Sequence, residues 1–406
     1  MRRRTLTTAL TAALTSSAAA AVAAPSLADG GDAAHGDSAR STSGRGGTGR
    51  QEDRPPRLLM DGTGLYPRAI RLEHGGLADG RLLASVVTFD GPSGLGAIWE
   101  SADGGETFAR VGSVSDEATD SGEGLCCATL YELPRAVGDL PGGTLLWSAS
   151  VGADLPERRM SIRIWASTDV GRTWERIAIT ARAVNEGGLW EPEFAVADDG
   201  TLVLWYCDET DGEAHSQKIV QQTSVDGLTW TDPVPVIELE DPAARPGMPN
   251  VRRLRDGRWA MTYEVCGPSD LCRCYVRTSE DPRDWGSPTA RDAVIRAVDG
   301  TEPRHTPTLT VDEDGSLLLG SQMHYREDGE LSPHNGQVVL RTPNTRLDGR
   351  AHWRAEPAPT PVADPWNNYC PNYSPTFVRT GTGHLLEITS APAEDEVCRP
   401  WYGSLG

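Results

Sequence analysis

PEFAVADDGTLVLWYC, residues 192–207, decides the fold. Two runs of aliphatic and aromatic residues flank Asp199-Gly200, a pair suited to a tight hairpin turn. The same pattern returns as PRAIRLEHGGLADGRLLASVV from 67, CATLYELPRAVGDLPGGTLLWSAS from 127 and PNVRRLRDGRWAMTYEV from 249. It recurs again as PTLTVDEDGSLLLGSQMHY from 307 and SPTFVRTGTGHLLEITS from 374. These six units repeat roughly every 60 residues, with less regular strand sequence between them and almost no helical periodicity. The reading is an all-β, six-bladed β-propeller, a closed repeat that removes exposed sheet edges. Closure predicts that Arg57-Leu58-Leu59-Met60 completes the last blade as its outer strand.

The later part of several units carries a second signature. Ser101-x-Asp103-x-Gly105-x-Thr107-Phe108 and Ser167-x-Asp169-x-Gly171-x-Thr173-Trp174 are full copies. Ser224-x-Asp226 through Trp230 is shortened, and the stretch Thr278 to Trp285 around Asp281 is degenerate. These resemble the Asp-box of sialidase-like propellers. The aspartate is expected to accept backbone N–H groups across a tight turn while the aromatic packs beneath, a structural role.

Outward from the repeat, the chain divides into three. Residues 1–28 read as a secretory signal peptide: Arg2, Arg3 and Arg4, then an Ala/Leu/Thr stretch, with small-residue cleavage sites between Ala23 and Asp29. Residues 29–54 are Gly, Ser, Asp and Arg with little to bury, a disordered linker. Residues 55–406 form the propeller. The expected product is a secreted, extracellular monomer with no membrane association after cleavage. The net charge is −20, and removing the first 54 residues (seven Arg, five Asp/Glu) leaves −22. So acidic a surface disfavours nucleic acid and anionic lipid and suits a neutral substrate. Eight cysteines in an exported chain point to at least two disulfides, Cys370 with Cys398 and one bridge inside 266–274. No histidine stands at zinc spacing from Cys266, Cys272 and Cys274, so no metal or other cofactor is expected.

In a blade, the start of the first strand and the end of the second share one face of the disc, and the Asp-boxes lie on the other. The first face collects Tyr66, Arg68, Asp90, Glu191, Glu193, Asp208, Arg245, Tyr263, Glu264, His305, His324 and Tyr373. Glu191 in WEPEF and Glu264 in MTYEV interrupt apolar sequence, and two carboxylates across a channel are what glycoside hydrolysis requires. Side chains alternate along a strand, so Glu193 shares the strand face of Glu191 and is its rival for either role. The apolar residues before Glu264 predict a raised pKa there, with Glu191 ionised.

Trp190-Glu191-Pro192, Leu204-Trp205-Tyr206-Cys207-Asp208 and the run Ser216 to Ser224 resemble consecutive motifs of the exo-arabinanase family, glycoside hydrolase family 93. Arg245-Pro246-Gly247-Met248, Met261-Thr262-Tyr263-Glu264 and Tyr66-Pro67-Arg68-Ala69 extend the likeness over most of residues 60–390. The resemblance implies a six-bladed propeller that releases short units from linear α-1,5-arabinan with retention. It places the nucleophile on Glu191 and the acid/base on Glu264. Glu193, Cys207 and the insertion Cys266–Cys274 depart from the pattern.

Two other readings compete. An exo-α-sialidase would converge Arg68, Arg245 and Arg304 on a carboxylate, with Tyr373 as nucleophile and Glu264 behind it. A non-catalytic carbohydrate-binding propeller would stack sugars on Trp190, Trp205 and Trp366.

Overall fold

The computed structural model describes residues 53–343, 345–347 and 352–406. The segment 1–28 and nearly all of 29–54 lie outside the described residues. The described chain is almost entirely β, with six small antiparallel sheets arranged as a six-bladed propeller. Blade 1 runs Leu65–Arg71, Leu82–Asp90, Ser93–Ser101 and Ala109–Val114 from the channel outward. Blade 2 has inner strands Leu125–Glu132 and Leu145–Val151, blade 3 Leu189–Val196 and Leu202–Asp208, and blade 4 Arg245–Arg253 and Trp259–Cys266. The inner strands of blade 5 are Thr308–Val311 and Leu317–Gly320, and those of blade 6 are Thr376–Arg379 and Leu385–Pro392.

The closing strand is Arg54–Leu58, which pairs Arg57 with Tyr402 and Leu58 with Trp401 on the third strand of blade 6. Blade 6 is closed by this segment as expected, but the strand begins at Arg54, inside the segment read as linker, and ends at Leu58, so Leu59 and Met60 lie beyond it. Between blades 4 and 5 a short ribbon, Glu302–Arg304 paired with Met323–Tyr325, attaches to blade 4 through Arg273. It carries His305 toward the channel.

The cores lie between blades, where aliphatic rows of adjoining sheets interdigitate. Trp147 and Trp165 meet edge to face against Leu83, Ile98 and Leu130, and Trp205 meets Trp285 beneath blades 3 and 4. Such aromatic contacts bury large apolar areas and give each junction a fixed geometry.

One local device recurs in every blade. Tyr66, Cys127, Glu191, Met248, Thr306 and Ser374 all have positive φ, between 49° and 61°. Five of the six precede proline, and Cys127 precedes Ala128. Proline crowds the α region of the residue before it, yet the left-handed region still costs a non-glycine residue about 1 kcal/mol or more. In blades 1 to 4 the strand register breaks at this point, for example between Trp190 and Glu193. The extra residue is a β-bulge that re-aims the side chain before it.

The residue two positions later turns toward the neighbouring blade. Arg68 donates to Ser374 Oγ at 3.0 Å, Thr376 Oγ1 accepts from the Ala69 N–H at 3.2 Å, and Thr308 donates to the Pro375 carbonyl at 2.6 Å. Asn250 donates to Glu193 at 3.0 Å and accepts from the Leu309 N–H at 2.8 Å. A run of buried polar contacts thus ties blade 3 through blades 4, 5 and 6 to blade 1.

Candidate active site

A cavity of about 690 Å³ opens on the face where first strands begin and second strands end. Its lining includes Tyr66, Trp190, Glu191, Arg245, Glu264, His305, Tyr369 and Tyr373. The bulge supplies its floor: Tyr66, Cys127 and Met248 cluster there with Leu65, Cys126, Trp190 and Tyr373. Gly247 is required beside them. A Cβ there would stand 2.5 Å from Gln217 Nε2 and 3.4 Å from a Glu191 oxygen.

Glu191 rises from the bulge of blade 3, and Glu264 from the second strand of blade 4, opposite Gly247 in register. One oxygen of Glu191 accepts the Met248 N–H at 2.7 Å and the Cys207 thiol at 3.0 Å. One oxygen of Glu264 accepts the Thr306 N–H at 2.6 Å and lies 3.2 Å from Nδ1 of His305, at ion-pair distance but out of hydrogen-bond alignment. Burial, and then the negative charge of Glu264, push the Glu191 carboxyl up to about 7. Burial pulls the His305 imidazole down, but the Glu264 carboxylate outweighs it and the net direction is up. Glu191, expected from the sequence to stay ionised, is therefore raised by its burial and by its carboxylate neighbour. Glu191 has a thiol and a backbone amide for neighbours, and neither can carry a positive charge. Glu264 has an imidazole that can.

Of the other expected site residues, Tyr66, Arg245, His305 and Tyr373 line the cavity. Burial pushes the Tyr66 and Tyr373 phenols well above the usual range. Six expected residues sit elsewhere. Arg68 lies under the Tyr66 ring, 4.2 Å from its centroid, and ties blade 1 to blade 6 through Ser374. Glu193 is buried against Asn250 and Arg252. The bulge accounts for this, because an extra residue between Trp190 and Glu193 breaks the alternation that would have placed Glu193 beside Glu191. Asp208 is spent on Thr210, whose N–H and hydroxyl it accepts at 2.7 Å. Tyr263 points into the blade core and donates to Asp292 at 2.6 Å. His324 is fully buried, and burial lowers it to about 4, which keeps it neutral. Asp90 is exposed at the hairpin beyond Phe89.

Residues that pattern reading did not assign to the site include Cys126, Cys127, Gln217, Glu209, Asn367 and Tyr369, all on the cavity wall. Glu209 is bound by Arg245 and by Arg158, the latter at 3.1 Å, and Arg158 lies 5.3 Å over the Trp190 ring. The floor residues did carry a signal. The strand-opening motif of one residue, Pro or Ala, and one polar residue appears six times, and its first member lines the cavity in blades 1 to 3.

The guanidiniums do not converge. Arg245 is held by Glu209 and Gln217, Arg68 by Ser374, and Arg304 by Glu302 with its face on Tyr325. Trp205 is fully buried with its N–H on Gln221, so it presents no ring to a sugar, whereas Trp366 is exposed. Disulfides join Cys370 to Cys398, Cys266 to Cys272 and Cys126 to Cys127.

No family model matches the chain, and no curated protein aligns with it significantly. Solved structures do. The chain is similar to the glycoside hydrolase family 93 α-L-arabinofuranosidase of Fusarium graminearum complexed with arabinobiose, at 26% identity and TM-score 0.69, over 87% of this chain and 98% of that one. It is similar in fold to the Penicillium chrysogenum α-L-arabinanase complexed with arabinobiose, at 23% identity and TM-score 0.72, over the same shares of the two chains. The NanB sialidase of Streptococcus pneumoniae shares the fold more distantly, at 11% identity and TM-score 0.57, over 86% and 70%. The family 93 resemblance read from the sequence is therefore met in three dimensions, and the neighbours that carry it are glycoside hydrolases of the sialidase-like propeller fold.

Proposed function

We propose that the protein is a secreted, exo-acting, retaining glycoside hydrolase for neutral arabinose-containing glycans, with linear α-1,5-linked L-arabinan as the preferred substrate. The observation that carries this is the pair Glu191 and Glu264. Both open onto one cavity, Glu191 is raised to about 7 partly by the Glu264 charge, and the two have different neighbours, a thiol and an amide at Glu191 and an imidazole and an amide at Glu264. A cavity whose one lining arginine among the expected trio is already held by Glu209 suits a neutral sugar better than a sialoside. The arabinan preference rests on the likeness to the family 93 structures. Secretion rests on the signal-like residues 1–28, and folding of residues 55–406 as one catalytic unit on the closed ring.

The charge balance favours a reversal of the roles taken from the resemblance. Glu191, raised to about 7, is the group able to hold the proton near neutrality, and Glu264 lies against the His305 imidazole and the Thr306 N–H, neighbours that suit an attacking carboxylate. Glu191 therefore protonates the departing glycosidic oxygen while a Glu264 oxygen attacks the anomeric carbon, giving a glycosyl ester. Glu191, now ionised, takes a proton from water, whose oxygen displaces Glu264 and releases the sugar with its configuration retained.

The test is incubation with debranched arabinan, with the products resolved by size and the first-formed anomer read by NMR. Short products of retained configuration from arabinan, with a sialoside untouched, are the expected result. Release of sialic acid, or no hydrolysis of any arabinoside, would sink the reading.

A further inference from the structure

The cavity wall beside Glu264 holds a second set of matched groups. Cys266 ends the strand that carries Glu264, and Cys272 closes the following loop back onto it. The Cys272 carbonyl accepts the His305 N–H at 2.9 Å, so the loop also fixes the histidine. Donor atoms of Glu264, Cys266, Cys272 and His305 all lie within 4.8 Å of one another. The linear spacing of the cysteines offered no histidine, and the propeller brings one from the ribbon that leads into blade 5. A second cluster, Asp211, His215 and Glu238, differs in kind, because Lys218 already stands 3.0 Å from Asp211 and 3.6 Å from Glu238.

We propose that, when the Cys266–Cys272 bond is reduced, Glu264, Cys266, Cys272 and His305 bind a zinc-class divalent cation, and that the loaded site is catalytically silent. Two thiolates, one imidazole and one carboxylate form a donor set of the type zinc takes. Tetrahedral zinc, with bonds of about 2.0 to 2.3 Å, places its ligand atoms about 3.3 to 3.8 Å apart. A cluster already inside 4.8 Å reaches that by side-chain rotation once the sulfurs part. With the disulfide intact the two sulfurs are bonded to each other and two of the four donors are lost.

The chemistry balances as follows. The sulfur–sulfur bond breaks to two thiols: a dithiol supplies the two electrons and its own two protons, or a phosphine supplies the two electrons while one water supplies two protons and the oxygen of the oxide. The reductant leaves as its disulfide or its oxide. Cation binding then releases both thiol protons and requires His305 neutral and Glu264 ionised. The silencing rests on the proposed function, since it removes the Glu264 carboxylate from the pair. The metal site itself does not.

Cobalt(II) is the probe, because tetrahedral thiolate ligation gives it charge-transfer and ligand-field bands that oxygen ligands do not. The full-length mature protein is reduced with a phosphine, freed of reductant without air, and titrated with cobalt. One equivalent with thiolate bands is expected, with zinc displacing the cobalt and with near-complete loss of arabinan hydrolysis. Removing the metal and reoxidising should restore the rate. The Cys266→Ser/Cys272→Ser double variant, treated identically so that the other disulfides are also reduced, should show no thiolate band. Reduced wild type without the bands, the same bands in the double variant, or a loaded enzyme that keeps its disulfide-form rate would each overturn the proposal. Failure of the disulfide form to cleave any arabinoside would count against the functional reading alone, and the cobalt spectrum would still decide the site.

Discussion

On one face of the disc Asp169 accepts the Ser167 hydroxyl at 2.8 Å, the Arg172 and Thr173 N–H groups at 3.0 and 2.9 Å, and the Thr173 hydroxyl at 2.6 Å. On the other face Glu191 accepts one N–H and one thiol. Asp169 sits in a turn beside the positive-φ residues Val170 and Gly171, and Glu191 itself has a positive φ in its bulge. Slight burial opposes the Asp169 charge, but its hydrogen bonds from Thr173, Ser167 and Arg172 win and hold it below the ordinary range. Asp226 in the shortened box is lowered to about 2 by the Thr229 and Leu228 N–H groups. Glu191 goes the other way, up to about 7. Four donors in water make a permanent anion, and two donors in a cavity facing another carboxylate make a group that exchanges protons near neutrality. The Asp-box face is built to hold the blades, and the cavity face to react.

The contrast breaks most visibly in turnover. Glu191→Ala and Glu264→Ala should each lose about a thousandfold or more in kcat. Azide separates them. In Glu191→Ala the glycosyl ester still forms, so azide should yield a glycosyl azide of retained configuration. In Glu264→Ala azide attacks in place of the missing carboxylate, and the product should be inverted. The opposite pairing of products would restore the order of roles that the resemblance implied.

The pH profile sharpens the same point. As the acid, Glu191 must be protonated in the free enzyme, so kcat/KM should be full below pH 7 and fall as pH rises through about 7. A profile that instead falls as pH drops through that range would make Glu191 the attacking group. Cys207→Ser offers Glu191 a stronger donor than a thiol, which stabilises its ionised form. The descending limb should then move to lower pH.

The fold was legible because each blade repeats one hydrophobic pattern and the turns are marked by Asp-Gly and Gly-rich pairs. The placement of Glu191 and Glu264 on one cavity was legible because acids interrupt apolar strands there. Alternation failed at the strand starts. A positive-φ residue before proline inserts a bulge, which sends Tyr66 and Glu191 to the channel and Arg68 and Glu193 to the neighbouring blade. The cavity wall made by Asn367 and Tyr369 was not legible, since it comes from a loop with no strand pattern. Gln322 donates to the carbonyls of Trp366, Asn368 and Pro371 and so holds that loop in place.

Glu193 tests the bulge directly. Glu193→Ala removes the acceptor for Asn250 and the partner of Arg252, which lies 2.8 Å away. Arg252 is partly open to water and regains solvation, so the cost should be about 2 kcal/mol, below that of a fully buried pair. Denaturant titration should show that loss while kcat per folded molecule stays within about twofold. A collapse of kcat in a folded variant would return Glu193 to the site and undo the bulge argument.

The smallest effect belongs to the Asp-box face. Asp169→Ala removes four accepted hydrogen bonds, but all of them lie near water, which replaces much of what is lost. The expected cost at neutral pH is about 1 kcal/mol. The sign with pH follows from the lowered carboxyl. Its folded-state pKa lies below its unfolded value of about 4, so its contribution is complete above that pH and drains away as acid protonates the folded form. The stability gap between wild type and Asp169→Ala should therefore narrow as pH falls below about 4, while kcat/KM of the variant on arabino-oligosaccharides equals that of wild type at each pH. Chemical denaturation at pH 7 and at acid pH, with activity measured in parallel, reads both. A gap that holds constant into acid would mean the turn does not depend on the ionised aspartate. A loss of activity would mean the two faces are coupled through blade 2, whose inner strand begins at the cavity with Cys126 and Cys127 and whose third strand ends at this box.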